Sequence, residues 1–344
     1  MRSPVSGGAA RLKVILLMRK GSEGNFSIER YFSGLVKRLA KDIDPSIVEL
    51  PYDSRGVARR IGNILFTSRL RADLIHVTGD VHYCVLGVRR AKSILTVHDF
   101  VTLHRLSGKR KKLFNFVWYR LPVWWAAEIT TVSRATYDEL IEHFPWAHSK
   151  CTIVPSSVGP SFFSAAVLKR TIPPQRILQV GTRPNKNLDR IVHSLEALPV
   201  HLRIIGSLTS SQAEMLELSA VDYSSVSDLS DEEMLREYQL SDMLMFVSTY
   251  EGFGLPIIEA QALGIPVVTS RISSMPEVAG DGALLVDPFD TTAIRRAVTS
   301  LINSPLLVAT LEQRGRVNAA NYTAEKVAKL YVDLYRRTSS SMGP

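Results

Sequence analysis

Ten residues of the second half, Tyr250-Glu-Gly-Phe-Gly-Leu-Pro-Ile-Ile-Glu259, combine glycines, carboxylates and a helix start in one short run. They follow an apolar run, Met243–Val247, that reads as a strand. Gly252 and Gly254 allow a tight turn whose backbone comes close to a ligand. Pro256 stands where a helix takes its first residue, and Ile257–Leu263 continues as a helix. A strand, a glycine turn and a helix N-terminus together present unpaired N–H groups and a positive dipole end to an anion. Glu251 and Glu259, one at each end, are placed to accept hydrogen bonds from hydroxyl groups. The parts suit a phosphate flanked by polyols. They equally suit an ordinary strand–turn–helix junction with a capping glutamate, and spacing alone leaves both open.

A second junction weighs on the functional side. The run Ile177–Val180 leads into Gly181-Thr-Arg-Pro-Asn-Lys186-Asn187, and a helix follows over Leu188–Leu198 with Asn187 as its N-cap. Arg183 and Lys186 then lie on a loop at a strand's carboxyl end, on the same sheet edge as Glu251. Two cations there would neutralise a diphosphate leaving group. A lone loop lysine is ordinarily just solvated, but Gly, Arg and Lys in one such loop favour a site.

The elements that must hold these loops alternate along the chain. Strand candidates in the first half are Lys13–Met18, Ile47–Leu50, Leu74–Val77, Ile94–Val97, Ile129–Val132 and Thr152–Val154. Those in the second are Ile177–Val180, Leu202–Ile205, Met243–Val247, Pro266–Thr269 and Leu284–Val286. Most are continuous Val/Ile/Leu runs, as parallel strands covered on both faces require. Alternation with helical patterns predicts an α/β chain of doubly wound sheets. The pattern restarts near residue 176, after a linker read at Gly159–Pro174, and two such domains leave a cleft at the carboxyl ends of their strands. A last helix is expected over Ala324–Arg337. The tails, Met1–Ala10 and Thr338–Pro344, read as disordered.

The 344 residues, 45% hydrophobic and 22% charged, suit a soluble protein of two ordinary domains. No apolar stretch is long enough for a membrane span, and Val14–Met18 is too short for a signal-peptide core. Two isolated cysteines, Cys84 and Cys151, fit a reducing cytosol with no disulfide framework and no metal cluster. The net charge of +9 is unevenly placed: residues 1–165 carry 25 Lys+Arg against 13 Asp+Glu, and residues 166–344 carry 17 against 20. Within the basic half, Lys109-Arg-Lys-Lys112 precedes Leu113-Phe-Asn-Phe-Val-Trp-Tyr-Arg-Leu-Pro-Val-Trp-Trp125. That segment suits either a helix with its apolar face in the core or contact with an anionic membrane. A nucleic-acid partner would need a recognition motif, and none is present. A nicotinamide enzyme would need Gly-x-Gly-x-x-Gly after the first strand, which Gly21-x-x-Gly24 fails to supply.

The run from Ser248 to Asp290, STYEGFGLPIIEAQALGIPVVTSRISSMPEVAGDGALLVDPFD, resembles the donor-binding signature of glycosyltransferase family 4, retaining enzymes of the GT-B fold. VGTRPNKNL (180–188), TVHDF (96–100), TVSRATYDEL (131–140) and IVPSSVGPSFF (153–163) match in the family's order. The resemblance covers nearly the whole chain. It implies an N-terminal acceptor-binding domain over residues 11–165, a donor-binding domain over 166–322, and a helix over 323–338 returning to the first domain. Glu251 would contact the donor sugar's hydroxyls and Glu259 the nucleotide ribose. Gly252, Phe253, Gly254 and Leu255 would offer backbone amides, Arg183 and Lys186 would bind the diphosphate, and Glu277 would lie in a nearby loop. His98 would point across the cleft toward the sugar, although as a bare residue it suits a structural role equally. Asp99 would support the His98 loop.

The family often has a Gly-Gly pair in its first loop; here the glycines are separated, and Gly24 is the best match. The Arg183–Lys186 spacing is also shorter than in many members. The resemblance further implies front-face transfer with retention, using a nucleotide-sugar as substrate and neither cofactor nor metal. The sugar is read as a hexose such as mannose or glucose. The acceptor is read as a glycan or lipid-linked glycan for cell-surface polysaccharide or glycoconjugate, met in the cytoplasm or on the inner face of a membrane. The alternative is a non-catalytic sugar-nucleotide-binding protein of the same fold.

Overall fold

The computed structural model describes residues 11–21, 27–165 and 175–341. Gly24 and most of the expected linker therefore lie outside the described residues. The first sheet comprises β1 (Lys13–Met18), β2 (Asp44–Glu49), β3 (Leu74–Val77), β4 (Ser93–Val97), β5 (Glu128–Thr131) and β6 (Cys151–Ile153). The second comprises β7 (Arg176–Val180), β8 (His201–Ile205), β9 (Asp222–Val226), β10 (Met243–Phe246), β11 (Val267–Ser270) and β12 (Ala283–Val286). Their spatial orders are β2-β1-β3-β4-β5-β6 and β12-β11-β10-β7-β8-β9. Every pairing between these strands is parallel. Such strands are joined by helical crossovers on both faces, which is why β3, β4, β10 and β11 are buried at every position.

The strand order reverses between β1 and β3 in the first sheet and between β7 and β10 in the second. At such reversals the flanking loops diverge and leave a crevice at the carboxyl ends. The loops after β7 and β10 carry Lys186 and Glu251, so the second sheet's crevice is where the sequence motifs fall.

Eleven strands coincide with the apolar runs of the sequence to within a few residues. β9 has no counterpart there, because Asp-Tyr-Ser-Ser-Val sits at the sheet edge, where polar side chains reach water.

The last helix, Ala324–Ser340, packs on the first sheet, and Val327, Tyr331, Leu334 and Tyr335 join Val14, Leu16, Phe32 and Ile94 in one core. The chain crosses back beside Val158, whose N–H donates to Tyr322 O at 2.9 Å. His76 of β3 lies 2.7 Å from Tyr335 Oη and 2.6 Å from Thr96 Oγ1, and burial pushes the His76 pKa down to about 3, which keeps the ring neutral. Thr338–Ser340, read as part of a disordered tail, is instead helical; Thr338 is buried and returns its hydroxyl to Leu334 O at 2.8 Å.

The basic–aromatic segment forms a helix over Gly108–Phe114, a π-turn over Asn115–Arg120 and a further turn over Leu121–Trp125. Trp118, Tyr119 and Val123 enter the core, whereas Leu113, Phe116 and Trp124 stay exposed. The segment is therefore core on one side and apolar at the surface on the other.

Candidate active site

Gly254 holds the N-cap position of the helix Leu255–Ala262 with φ +113°, a conformation natural only to glycine, and Pro256 occupies the first turn. That turn follows β10, whose neighbour in the sheet is β7. Glu251, three residues before Gly254, is clamped by its backbone: its N–H donates to Ser273 Oγ at 3.2 Å, and its carbonyl accepts from Ser273 at 2.6 Å and Ser274 at 2.9 Å. Ser274 also bonds Phe253 O at 2.6 Å. The Phe253 ring is buried edge-on against Tyr322, so that residue contributes its backbone to the turn and its side chain to the core.

The carboxylate of Glu251 is met from the other loop. Lys186 Nζ donates to Glu251 Oε1 at 2.7 Å, and Asn185 Nδ2 reaches the same oxygen at 3.1 Å. Lys186 also lies 4.4 Å above the Phe246 ring at the end of β10. Its stem runs over Gly181, where a Cβ would stand 2.9 Å from Lys186 Cε. Arg183 begins the same loop and is exposed. Asn187 stands at the N-cap position but does not cap: it takes a left-handed conformation, and its amide bonds Val247 O at 3.0 Å and Pro288 O at 2.7 Å. Tying neighbouring loops outweighed the local cap. Glu259 lies further along the helix and receives the hydroxyl of buried Tyr238 at 2.7 Å.

The first domain closes onto this turn. A Cβ built on Gly252 would fall 2.0 Å from His98 O, so the two backbones touch at a position that only glycine can occupy. Thr136 Oγ1 lies 3.1 Å from Gly252 O and 3.3 Å from His98 O. Tyr250 Oη donates to Glu139 at 2.7 Å and accepts the Phe100 N–H at 3.0 Å. Glu277 sits in a short helix, Met275–Ala279, where a loop was expected, and accepts the Arg134 N–H at 2.7 Å. His98 Nε2 donates to Thr78 O at 2.7 Å, which fixes the ring within its own domain. Asp99 accepts the Val101 N–H at 2.9 Å; burial pushes its pKa up to about 6, helped by the negative charges of Asp80 and Glu251.

The structure thus gathers Glu251, Gly252, Phe253, Gly254, Lys186 and the His98 backbone at one crevice. Asn185, Ser273, Ser274, Tyr238, Thr136 and Glu139 were absent from the sequence reading. All but Tyr238 stand inside motifs quoted for the resemblance, but what Thr136 and Glu139 touch lies in the other domain, and nothing local names those partners. Among the described residues no three His, Cys, Asp or Glu side chains are grouped to hold a metal ion.

Sequence models of two families match almost end to end. Residues 14–162 match Glycosyltransferase Family 4, and residues 169–321 match Glycosyl transferases group 1. The chain belongs to glycosyltransferase family 4. Proteins similar to it include the MMP alpha-(1->4)-mannosyltransferase of Mycolicibacterium hassiacum, 29% identical over 61% of this chain and 54% of that protein. The O-antigen chain mannosyltransferase B of Escherichia coli is 28% identical over 72% and 61%. The match to the E. coli serotype-specific mannosyltransferase WbdA spans 29% of that protein's length. Among solved structures, Anabaena HepE in complex with UDP and glucose superposes with TM-score 0.72 at 14% identity, over 94% of this chain and 99% of that one. Sucrose-phosphate synthase of Thermosynechococcus elongatus gives 0.74 at 15%, over 96% and 100%. At that identity the likeness establishes the GT-B fold.

Proposed function

We propose that this family-4 protein transfers a hexose such as mannose or glucose from a nucleotide-sugar to a glycan or lipid-linked acceptor, with retention. The observation that carries this reading is the Lys186–Glu251 ion pair beside the N-terminus of the helix Leu255–Ala262. Without donor, the lysine and the carboxylate neutralise each other. An arriving diphosphate offers Lys186 a stronger partner, and Glu251, still held by Asn185 and the two serines, is released toward the sugar's hydroxyls.

In this reading Arg183, Lys186 and the helix N-terminus stabilise the charge that builds on the departing diphosphate. The acceptor hydroxyl attacks the anomeric carbon from the face the diphosphate leaves, and passes its proton to a departing phosphate oxygen. Glu259, oriented by Tyr238, would take the ribose hydroxyls. The reading assigns charge stabilisation to these residues and includes neither metal nor cofactor. The named relatives are mannosyltransferases and one neighbour was solved with UDP and glucose, which supports the donor class. The work would be done in the cytoplasm or on the inner membrane face, in building a cell-surface polysaccharide or glycoconjugate.

The test is a thermal-shift screen against UDP-, GDP-, ADP- and TDP-sugars, followed by turnover of the best donor. Turnover in the parent that disappears in Glu251→Ala is the expected result. Binding with equal, negligible turnover in both proteins would favour the non-catalytic binder.

A further inference from the structure

One side of the first domain is covered by two segments, the helix Val57–Arg69 and the Gly108–Trp125 segment. Both carry an excess of basic residues, although Asp53, just before the first helix, pairs with its Arg59 at 2.6 Å. Residues 54–72 hold five arginines and no acidic residue, and residues 100–127 hold six Lys and Arg and no acidic residue. Both also show apolar side chains to water. Val57, Ile61 and Leu65 recur every four residues along one stripe of the first helix, and Leu113, Phe116 and Trp124 stand on the outer face of the second segment. These six are between 48% and 70% exposed. An isolated surface leucine needs no explanation, but an aligned apolar stripe on each of two neighbouring helices does.

The two stripes belong to one surface. The Arg60 guanidinium lies over the Trp118 ring at 5.1 Å, joining the helices. Beyond Phe116 the surface continues into an open recess of about 650 Å³, whose lining includes Arg90, Arg120, Trp124, Trp146 and Lys150. Arg90 stacks on Trp124 at 4.9 Å, and Lys150 lies 5.4 Å from the Trp146 ring centre. Along the chain the two helices follow β2 and β4, whereas Arg90, Trp124 and Lys150 of the recess stand just before β4, β5 and β6, so the surface runs down the side of the first domain toward the amino ends of its strands.

We infer that this face docks on an anionic phospholipid bilayer, with Val57, Ile61, Leu65, Leu113, Phe116 and Trp124 entering the headgroup layer. Charge complementarity and chemistry select that occupant. A soluble polyanion would use the arginines and lysines but leave the aliphatic side chains idle; a bilayer interface takes both, and aromatic rings suit its boundary. Among the described residues no helix is long and apolar enough to cross a membrane, so attachment would be from one side. Docking by this side of the first domain would hold the chain at the lipid surface, where a lipid-linked acceptor presents its sugar. The inference rests on the lipid-linked branch of the acceptor reading for its purpose, while its test needs no donor and no turnover.

The experiment is co-sedimentation of the full chain with phosphatidylglycerol–phosphatidylcholine vesicles and with phosphatidylcholine vesicles alone, at ~0.1 M and ~0.5 M salt. Binding should require phosphatidylglycerol and weaken as salt rises. Two exposed-site variants divide the terms. Lys109→Glu with Arg110→Glu and Lys112→Glu, and separately Ile61→Ser with Leu65→Ser and Phe116→Ser, should each weaken partitioning at least about tenfold. Donor-induced thermal shifts should stay at parent values in both, which certifies their folding. A parent that remains in the supernatant with anionic vesicles at low salt overturns the inference. So does an apolar variant that binds as well as the parent, which would reassign the face to a soluble polyanion.

Discussion

Lys186 Nζ lies 2.7 Å from Glu251 Oε1, joining loops that follow different strands and are 65 residues apart in the chain. Both side chains are largely shielded from water, so the pair is a stronger contact than a surface ion pair. On the proposed reading Lys186→Ala takes a cation from the diphosphate, and it leaves the Glu251 carboxylate with Asn185. Donor affinity and turnover should both fall, by about a hundredfold in kcat/KM, the scale of losing one charge-stabilising donor. Steady-state kinetics against donor concentration checks this. Parent-like kinetics in Lys186→Ala would sink the phosphate assignment.

Gly252→Ala isolates the approach of the two domains. The added methyl would stand 2.0 Å from His98 O, a backbone atom that cannot rotate aside. The domains must separate or the turn must deform, and in either case Glu251 leaves its place. The variant should remain folded, lose activity by two orders of magnitude or more on the about-1-Å sensitivity of reacting geometry, and scatter X-rays as a more open particle. An active Gly252→Ala with an unchanged radius of gyration would show that this contact is dispensable.

The strands were legible because parallel strands covered on both faces must be apolar, and β9 was not because an edge strand need not be. The two βα loops could be found because glycine at a turn and a cation after a strand are local patterns. What joins them across the crevice was not. Tyr250 and Glu139 are 111 residues apart, and nothing in Tyr250's neighbours names Glu139 as its partner. Asn187 shows the opposite error: a sound local rule favoured a cap, but hydrogen bonds to Val247 and Pro288 claimed its amide. The exposed faces of Val57–Arg69 and Gly108–Trp125 became meaningful only when burial showed which apolar residues the core had not taken.

Tyr250→Phe tests the clasp beside Glu251 without altering its size. The hydroxyl joins Glu139 and the Phe100 N–H, both in the first domain, to a residue of the loop after β10. Its loss leaves two half-buried polar groups without that partner, a cost of about 1–3 kcal/mol borne only by the closed form. Cleft closure should weaken, lowering kcat/KM by about tenfold to a hundredfold at the same energy scale. On the proposed reading the free nucleotide diphosphate is held by the second domain, and its binding should change little. Equal losses in nucleotide affinity and in kcat/KM would mean that Tyr250 supports the donor domain itself.

Asp99 gives the site a pH dependence with a definite sign. Burial is the main cause that raises its pKa from 3.8 to about 6, against the Val101 N–H that pulls the other way. Between those values the folded chain holds a proton that the unfolded chain has released, so stability falls as pH climbs through that window and levels off above it. The full difference is at most about 3 kcal/mol, from roughly two pH units at 1.36 kcal/mol each. Asn at this position keeps an oxygen for the Val101 N–H and never acquires the charge. Asp99→Asn should therefore match the parent's melting temperature near pH ~3, below both values, and exceed it by several degrees near pH ~7.5. A variant whose difference from the parent is the same at both pH values would show that the buried carboxyl is not the group that titrates. Because the proton lies in the His98–Asp99 loop that bears on Gly252, the same variant should also flatten any change in turnover between pH ~5 and ~7.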